Sequence, residues 1–497
     1  MIEKDIAAIV YYAKVHLHLD EEDATYKQNL LLKVFRRERP YEGEIDRAAI
    51  EALTVPDLLI APLARYLQKS LGYEEKAAER ETVFIMGLLS PLPSQVNQAF
   101  EAYYAVSPKT ATDFLYDLSI KNEYIAKSKV DQNIVWKAEY EDGPSLEISI
   151  NLSKPEKNNK DIAKLVATAS TSYPKCLLCH DNLGFAGTDD RPARENIRFV
   201  PLSLDGERWY LQYSPYVYYP YHLICFYEKH EPMEISPRIL SKLFAFVEQF
   251  PHFFIGSNSD LPIVGGSILD HEHFQGGGHE MPMMNAKVRT PIKTLKHPKT
   301  KVAVLEFYDT VVRLEGKDKD DILAIASDLI AKWRVYDDPA NDIVSHDATG
   351  QHSTVTPIVR KVKTGLYQMF IILRNNRADE KYPDGIFHAH PEYHMIKKEG
   401  IGLIEAMGLF ILPARLQRQG HLIEEVIANK YPKDKYLSEH PDLQAFVPMI
   451  DELKGTGATV KDYINEVCQS ILKNVAVYKN TPAGQKGLRT FLKEIDL

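Results

Sequence analysis

The chain has 497 residues, of which 44% are hydrophobic and 26% are charged, a composition typical of a globular protein. This length exceeds what one hydrophobic core usually organises, so we expect more than one domain. The formal net charge of -9 excludes a broadly basic surface for nucleic acid, so a polyanionic ligand would need local cations or backbone N–H groups.

Targeting signals and disulfide patterns are both missing from the sequence. Residues 1–30 contain no cleavable apolar core, and no stretch approaches the roughly 18 consecutive apolar residues of a membrane span. The four cysteines are too few for a disulfide framework in a chain of this length. We therefore expect a cytoplasmic protein without a membrane partner.

Residues 1–125 are predicted to form a helical N-terminal region. Residues 45–71 and 113–128 carry apolar side chains at i, i+3 and i+4, which is the spacing of one helix face. Breaks between helices are expected at the prolines, which are Pro56, Pro62, Pro91 and Pro93. This region carries no recognisable chemistry, and a helical scaffold is its simplest interpretation.

Strand patterns begin near residue 130. Residues 133–140 and 145–152 alternate apolar and polar side chains around "EDG", which predicts a hairpin. Residues 200–230 predict two or three strands with a "DG" turn. Further strands are predicted over 302–316 and 365–376, helices over 236–250, 319–336 and 399–416, and a charged boundary turn over 154–161. The fold class is therefore α+β, an antiparallel sheet flanked by helices.

The first cluster that can carry chemistry is "CLLC", with Cys176 and Cys179. Two thiolates at this spacing can both reach a tetrahedral ion at about 2.3 Å. The chain has no second Cys-x-x-Cys, so any further ligands should be histidines. Two alternatives remain: two cysteines at a tight turn without metal, and a redox pair, which would need a thioredoxin-like context.

The second cluster is "DHEHFQGGGH", residues 270–279. On a strand, His271, His273 and Gln275 would face the same side, so one histidine could bind metal while the other reacts. A neutral imidazole suits attack on phosphorus near pH 7, glutamine can donate N–H to a phosphoryl oxygen, and the glycines allow close backbone approach. A polar loop containing histidines by chance is the alternative.

A second His-x-His pattern occurs in "GIFHAHPEYH", with His388 and His390 on a predicted strand. A second metal site or a substrate-facing strand are the functional alternatives to a purely structural role.

Taken together and in order, these clusters resemble galactose-1-phosphate uridylyltransferases of the second sequence class, within the histidine-triad superfamily. The resemblance extends over the whole chain. The first class carries a Cys-x-x-Cys, a V-I-C-F-x-x-x-H strand, H-P-H-x-Q and H-x-H near a K-F-x-x-G-x-E-x-L segment. The corresponding segments here are "CLLC", "LICFYEKH", "HEHFQ", "HAH" and "GIGLIEAMG".

The resemblance implies a role for each matching residue. Zinc is implied at Cys176, Cys179, His230 and His271, with His222 as an alternative to His230. His388 and His390 match two ligands of a second, iron-like site whose other ligands have no clear counterpart. The nucleophile is His273, the phosphoryl-binding residue is Gln275, and the substrate contacts are Asn258, Ser267 and Glu405. Glu272 departs from the family pattern, because the first class has proline there.

The resemblance also implies the reaction. UDP-glucose and galactose 1-phosphate would be converted into glucose 1-phosphate and UDP-galactose in two steps through a uridylyl-histidine intermediate. It further implies a histidine-triad-like catalytic half over 126–300, a second such half over 301–497 with the hexose contacts, and a homodimer.

Three alternatives remain open at the level of sequence. A related enzyme of the superfamily could act on another nucleotide sugar or on a dinucleoside polyphosphate. A zinc hydrolase could use Glu272 as its base, with an open metal site and water as acceptor. A zinc-stabilised scaffold would bind metal without catalysis. Arg191, Arg194, Arg360 and Arg374 are candidates for neutralising a diphosphate, and the sequence does not choose among them.

Overall fold

The computed structural model describes residues 1–153, 173–266, 268–430 and 432–495. Within these ranges the chain forms two compact units. The first contains residues 1–132, 173–217 and 221–230, and the second contains the other described residues. The predicted boundary turn at 154–161 lies outside the described ranges. No helix in the described parts of the chain is both long enough and apolar enough to cross a membrane.

The first unit begins with a series of helices, as predicted for residues 1–125. Their starts are marked by capping side chains: Asp20 accepts from the backbone N–H of Glu22, and Ser107 accepts from that of Thr110. The helices are α1 Ile2–His16, α2 Glu21–Val34, α3 Arg47–Glu51, α4 Asp57–Leu71, α5 Glu75–Leu89, α6 Pro93–Val106, α7 Pro108–Lys121 and α8 Lys127–Val130.

The prolines divide these helices, with one exception. Pro56 is the N-cap of α4 and Pro93 is the first residue of α6, both positions at which a missing N–H costs nothing. The predicted break at Pro62 is wrong, because Pro62 lies inside α4. Pro62 lacks one backbone hydrogen bond in the second turn, and burial of Leu63 and Leu67 just beyond it offsets that loss.

The two or three strands predicted over 200–230 are confirmed as three, which form an antiparallel meander in the first unit. They are β3 Val200–Leu204, β4 Glu207–Tyr213 and β5 Leu223–Tyr227. Asp205 and Gly206 form the first turn with φ of 52° and 79°. Positive φ at both central residues is characteristic of a type I′ turn, whose twist matches that of the flanking strands.

The second unit contains an antiparallel sheet whose strands, in their pairing order, are β7 His273–Gly277, β6 Phe254–Gly256, β13 Ser353–Lys361, β14 Tyr367–Asn375, β10 Val311–Gly316, β9 Lys301–Leu305 and β8 Val288–Ile292. This confirms the predicted antiparallel sheet and the strands expected over 302–316 and 365–376. Two further strands are β11 His346–Asp347 and β12 Gly350–Gln351. Strands β11 and β12 form a separate short pair.

Two amphipathic helices flank this sheet, as predicted for 236–250 and 319–336. They are α9 Pro237–Gln249, which contacts β6 and β13, and α10 Lys319–Trp333, which contacts β10, β13 and β14. Both bury apolar residues at helical spacing. The remaining helices are α11 Leu403–Ala406, α12 Arg415–Ile427, α13 Lys433–Glu439, α14 Val447–Leu453, α15 Val460–Val475 and α16 Pro482–Lys493.

A small three-stranded sheet completes the second unit and overturns one prediction. The predicted hairpin is confirmed as β1 Ile134–Tyr140 and β2 Gly143–Asn151. Residues 399–416 were predicted helical, but they contain the short α11, strand β15 Leu409–Pro413 and the start of α12. Gly408 has φ of 97°, which stops α11, and β15 then pairs in parallel with β2.

Candidate functional site

The predicted nucleophile is the first residue of strand β7. His273 is 5% exposed, and Gln275 follows at the same parity of the strand. Antiparallel pairing places Gly256, the last residue of β6, opposite Gln275. The chain that continues from β6 to Asn258 therefore leaves the sheet at the end where His273 lies. His271 precedes the strand, so the predicted shared strand face applies to His273 and Gln275.

One ring nitrogen of His273 is fixed by the backbone. Its Nδ1 lies 2.8 Å from the carbonyl oxygen of His271. A carbonyl oxygen only accepts hydrogen bonds, so Nδ1 carries the proton and the Nε2 lone pair is left available in the neutral ring. Burial lowers the pKa of His273 to about 4, which keeps the imidazole neutral at physiological pH.

The glycine run after Gln275 has a structural cause. A Cβ at Gly276 would lie 2.2 Å from the carbonyl oxygen of Phe254 and 2.8 Å from Cδ1 of Ile255, so β6 leaves no space for a side chain. Gly276 thus allows the close pairing of β6 and β7 that brings the ends of these strands together.

Glu272, which replaces the expected proline, is held through both its backbone and its side chain. Its N–H donates to the carbonyl oxygen of Glu231 at 2.8 Å, a bond that proline could not make. Its carboxylate is 4% exposed and accepts from Nη1 of Arg238 at 3.0 and 3.1 Å. Arg238 belongs to the first turn of α9. The ion pair therefore ties the residue between His271 and His273 to that helix.

Two of the predicted substrate contacts, Asn258 and Glu405, are neighbours. Oδ1 of Asn258 accepts from the N–H of Leu403 at 2.8 Å. A Cβ at Gly402 would lie 3.1 Å from that oxygen and 3.7 Å from Oε2 of Glu405. Asn258 is 2% exposed and Glu405 8% exposed, so both polar groups line a largely buried position.

The carboxylate of Glu405 is paired with a buried lysine. Nζ of Lys397 donates to Oε1 of Glu405 at 3.0 Å and to the carbonyl oxygen of Ile411 at 3.0 Å. Lys397 is 1% exposed, so its charge depends on such partners. The position of Glu405 is thereby fixed by strand β15 as well as by its own helix.

Three of the predicted zinc ligands, Cys176, Cys179 and His230, lie together within the first unit. The two sulfurs are 3.5 Å apart, and Sγ of Cys179 lies 3.2 Å from Nδ1 of His230. Two thiolates about 2.3 Å from one tetrahedral ion would be roughly 3.8 Å apart, so the donor set and its spacing fit zinc.

The other predicted positions give mixed results. His230 belongs to the cysteine cluster, and its alternative His222 does not. His388 and His390 lie in irregular chain, so the predicted strand there is wrong. Within the described ranges they are not part of a group of three or more metal-binding side chains. Ser267 lies outside the described residues.

Sequence reasoning missed Arg238 and Lys397. A signal existed for Arg238: a cation in the first turn of a helix is unfavourable next to the positive end of the helix dipole, so Arg238 requires an acidic partner. Lys397 gives no local signal, because its partners Glu405 and Ile411 reach it only through the tertiary fold. Arg374, one of the candidate diphosphate ligands, is 0% exposed and donates to the carbonyl oxygen of Ile401.

Comparison with known proteins gives consistent matches. The profile described as "Galactose-1-phosphate uridyl transferase, N-terminal domain" matches residues 20–232. The chain is 40% identical to the galactose-1-phosphate uridylyltransferase of Caldanaerobacter subterraneus subsp. tengcongensis, over 96% of this chain and 94% of that protein.

Two further relatives carry the same name. The protein of Clostridium acetobutylicum is 38% identical over 99% of both chains. The protein of Bacillus subtilis is 38% identical over 95% of this chain and 94% of its own length. The similarity thus extends well beyond residues 20–232 and includes the second half of the chain.

Proposed function

The chain belongs to the galactose-1-phosphate uridylyltransferase family, and on this basis we propose that it exchanges a uridylyl group between UDP-glucose and galactose 1-phosphate in galactose metabolism. The observation that supports this most directly is the fixed tautomer of His273. Its Nδ1–H donates to the carbonyl oxygen of His271 at 2.8 Å, which leaves Nε2 as the nucleophile.

In the first step, Nε2 of His273 attacks the α-phosphorus of UDP-glucose. A P–N bond forms, the bond from that phosphorus to the bridging oxygen breaks, and glucose 1-phosphate leaves with the bonding electrons. In the second step, a phosphate oxygen of galactose 1-phosphate attacks the same phosphorus and the P–N electrons return to Nε2. Both steps are chemically similar, so one site serves both.

The transition state of each step places negative charge on the phosphoryl oxygens. Gln275 follows His273 at the same strand parity, and we assign its side-chain N–H to these oxygens. Asn258 and Glu405, which lie together near the end of β6, are assigned to the nucleotide-diphosphate and to the hexose hydroxyls, respectively. Ser267 keeps its predicted substrate role without structural support.

A zinc ion would be held by Cys176, Cys179 and His230, which lie together in the first unit, and by His271 as the fourth ligand that the family motif implies. Four protein ligands would leave no open coordination position, so the ion would supply structural stability and not activated water. His271, as one of the ligands, would have its backbone restrained, and its carbonyl oxygen is the acceptor that orients His273.

The hydrolase alternative is disfavoured by the position of Glu272. A general base needs a carboxylate that can reach water, whereas the carboxylate of Glu272 is 4% exposed and paired with Arg238. The related enzymes that act on other nucleotide sugars share His273 and are separated by acceptor choice.

Acceptor-dependent exchange tests this proposal. The protein is incubated with UDP-glucose, alone or with galactose 1-phosphate, mannose 1-phosphate or pyrophosphate, and released glucose 1-phosphate is measured. We expect release limited to the enzyme concentration without acceptor and continuous UDP-galactose formation with galactose 1-phosphate. Continuous release without acceptor would indicate hydrolysis, and preference for another acceptor would indicate a related transferase.

The homodimer, the cytoplasmic location, the identity of the metal and the division into two catalytic halves at residue 300 stay predictions. Metal analysis and measurement of the molar mass in solution address the metal and the dimer.

A further inference from the structure

The segment from Ile401 to Glu405 connects two assigned substrate residues, because its Leu403 N–H binds Asn258 and its last residue is Glu405. We propose that His388 and Arg374 position this segment by holding the peptide groups on either side of Ile401, and that His388 is a positioning residue and not a metal ligand. The effect on substrates rests on the proposed function. The structural part does not.

The two side chains hold Ile401 through backbone atoms. The N–H of Ile401 donates to Nε2 of His388 at 3.2 Å, and its carbonyl oxygen accepts from Nη2 of Arg374 at 2.6 Å. His388 is 3% exposed and Arg374 is 0% exposed. Buried hydrogen bonds of this kind are costly to lose, since the backbone groups would have no water to replace them.

The charge of Arg374 is compensated from two directions. Burial lowers the pKa of Arg374, and the negative charges of Asp309 and Glu405 partly offset this effect. The guanidinium is fully buried, and its Nε and Nη1 have no hydrogen-bond partner among the described residues, so Arg374 does not face a solvent-exposed diphosphate. Its defined contact is the carbonyl oxygen of Ile401.

Downstream of Ile401, the position of the backbone sets the positions of the hydrogen-bond partner of Asn258 and of Glu405. Gly402 passes so close to Asn258 that a Cβ would lie 3.1 Å from its Oδ1, and the next N–H, that of Leu403, donates to this same oxygen at 2.8 Å. Glu405 then meets Lys397 at 3.0 Å. A shift of Ile401 would therefore move the partner of Asn258 and the carboxylate of Glu405 together.

The same geometry argues against a metal ion at Nε2 of His388 or at Nε2 of His390. Nε2 of His388 accepts from the N–H of Ile401, so in the neutral ring the proton is on Nδ1, which is buried without a hydrogen-bond partner in the described part of the chain. Nε2 of His390 lies 3.0 Å from the carbonyl oxygen of Ile386, which makes that nitrogen a donor. Burial and the positive charge of Arg374 lower the pKa of His388 to about 3, which keeps it a neutral acceptor.

Substitutions of His388 test whether its hydrogen bond with the N–H of Ile401 holds this segment in place. Glutamine can place its Oε1 near the position of Nε2 and accept the same N–H, whereas leucine of similar size cannot. Hydrogen–deuterium exchange of the full-length protein should therefore show faster exchange around Ile401 in His388→Leu and Arg374→Met, and near-wild-type exchange in His388→Gln. This readout needs no activity. Unchanged exchange in His388→Leu would overturn the proposal.

Steady-state kinetics test the functional part. We expect His388→Leu to raise the KM for galactose 1-phosphate about tenfold with a smaller change in kcat, and His388→Gln to stay within about threefold of wild type. Because part of the effect acts through Glu405, the effects of His388→Leu and Glu405→Gln on the KM should be less than additive in the double variant. Fully additive effects of these two substitutions would overturn the proposed route.

Metal content gives the third readout. His388→Gln and His388→Leu should contain as much bound metal per chain as the wild type. Loss of one metal ion per chain in both variants would show that His388 is a ligand and would refute the positioning role. An inactive wild type with the expected exchange pattern would reject the proposed reaction and leave the structural assignment of His388 intact.

Discussion

The ion pair between Arg238 and Glu272 gives a quantitative prediction about the strand that carries His273. Arg238→Met leaves a carboxylate that is 4% exposed without its cation. Removing one partner of a fully buried ion pair costs about 3–5 kcal/mol. Arg238 itself is 38% exposed, so water can partly replace it, and we expect a loss of about 2 kcal/mol in the free energy of unfolding.

A double-mutant cycle measures this interaction in urea unfolding. Glu272→Gln alone should cost about 1 kcal/mol, because the amide keeps part of the hydrogen bonding. The double variant should be less destabilised than the sum of the single variants by about 1 kcal/mol or more. Lys137→Met is the matched control: its 2.7 Å pair with Glu139 is 61% and 69% exposed, so the cost should stay under about 0.5 kcal/mol.

The same variants test whether the pair supports His273. Arg238→Met and Glu272→Gln should slow formation of the uridylyl-enzyme at saturating UDP-glucose, and Lys137→Met should not. The reasoning is refuted if the two substitutions are additive within about 0.5 kcal/mol and uridylylation is as fast as in the wild type.

Three further predictions concern other parts of the molecule. Burial and the charge of Asp57 raise the pKa of Glu123 from 4.5 to about 8. The folded protein therefore has its full stability below pH 4.5, where Glu123 is protonated in both states, and loses part of its free energy of unfolding as the pH rises through 8. Glu123→Gln should therefore match the wild type at pH 5 and exceed it at pH 8.5 by on the order of 2 kcal/mol in urea unfolding; equal differences at both pH values would contradict this. Gly408→Ala should lower the Tm and reduce the free energy of unfolding by about 2–3 kcal/mol, because φ is 97° and the new Cβ would lie 2.9 Å from a neighbouring carbon. The control Gly72→Ala, at φ 77° with open space around it, should cost about 1 kcal/mol. Equal losses in the two variants would refute the packing argument. A chelator should lower the Tm of the wild type and leave that of Cys176→Ser unchanged; a wild type insensitive to chelation would contradict the metal assignment.

Local sequence patterns predicted much of the fold. The hairpin β1–β2 and the turn at Asp205 and Gly206 follow from alternation and turn chemistry within a few residues. Residues 399–416 could not be assigned in this way, because a run of leucine, isoleucine and phenylalanine suits both helix and strand. The deciding partner of β15 is β2, more than 250 residues earlier, which no local window contains.

The candidate site was predictable where chemistry depends on spacing. The parity of His273 and Gln275 and the pairing of Cys176 with Cys179 could be read directly. The partners of the buried charges could not, because the partner of a charge such as Lys397 is set by the tertiary fold. The irregular chain at His388 was missed for the same reason: its acceptor role depends on Ile401, which reaches it only in the folded protein.

Glu272 shows how a departure from a family motif can be interpreted structurally. Proline stiffens a backbone by fixing φ, whereas Glu272 restrains it with an N–H bond to Glu231 and an ion pair with Arg238. Both arrangements restrict the same short connection before His273.

The central claim is that His273 carries the uridylyl group, and intact mass spectrometry tests it most directly. After incubation with UDP-glucose, the wild type and the control variant His279→Ala should each gain the mass of one uridylyl group. His273→Ala should gain none, and galactose 1-phosphate should remove the adduct from the wild type. A uridylyl adduct on His273→Ala, or one mapped to another residue of the wild type, would contradict the account.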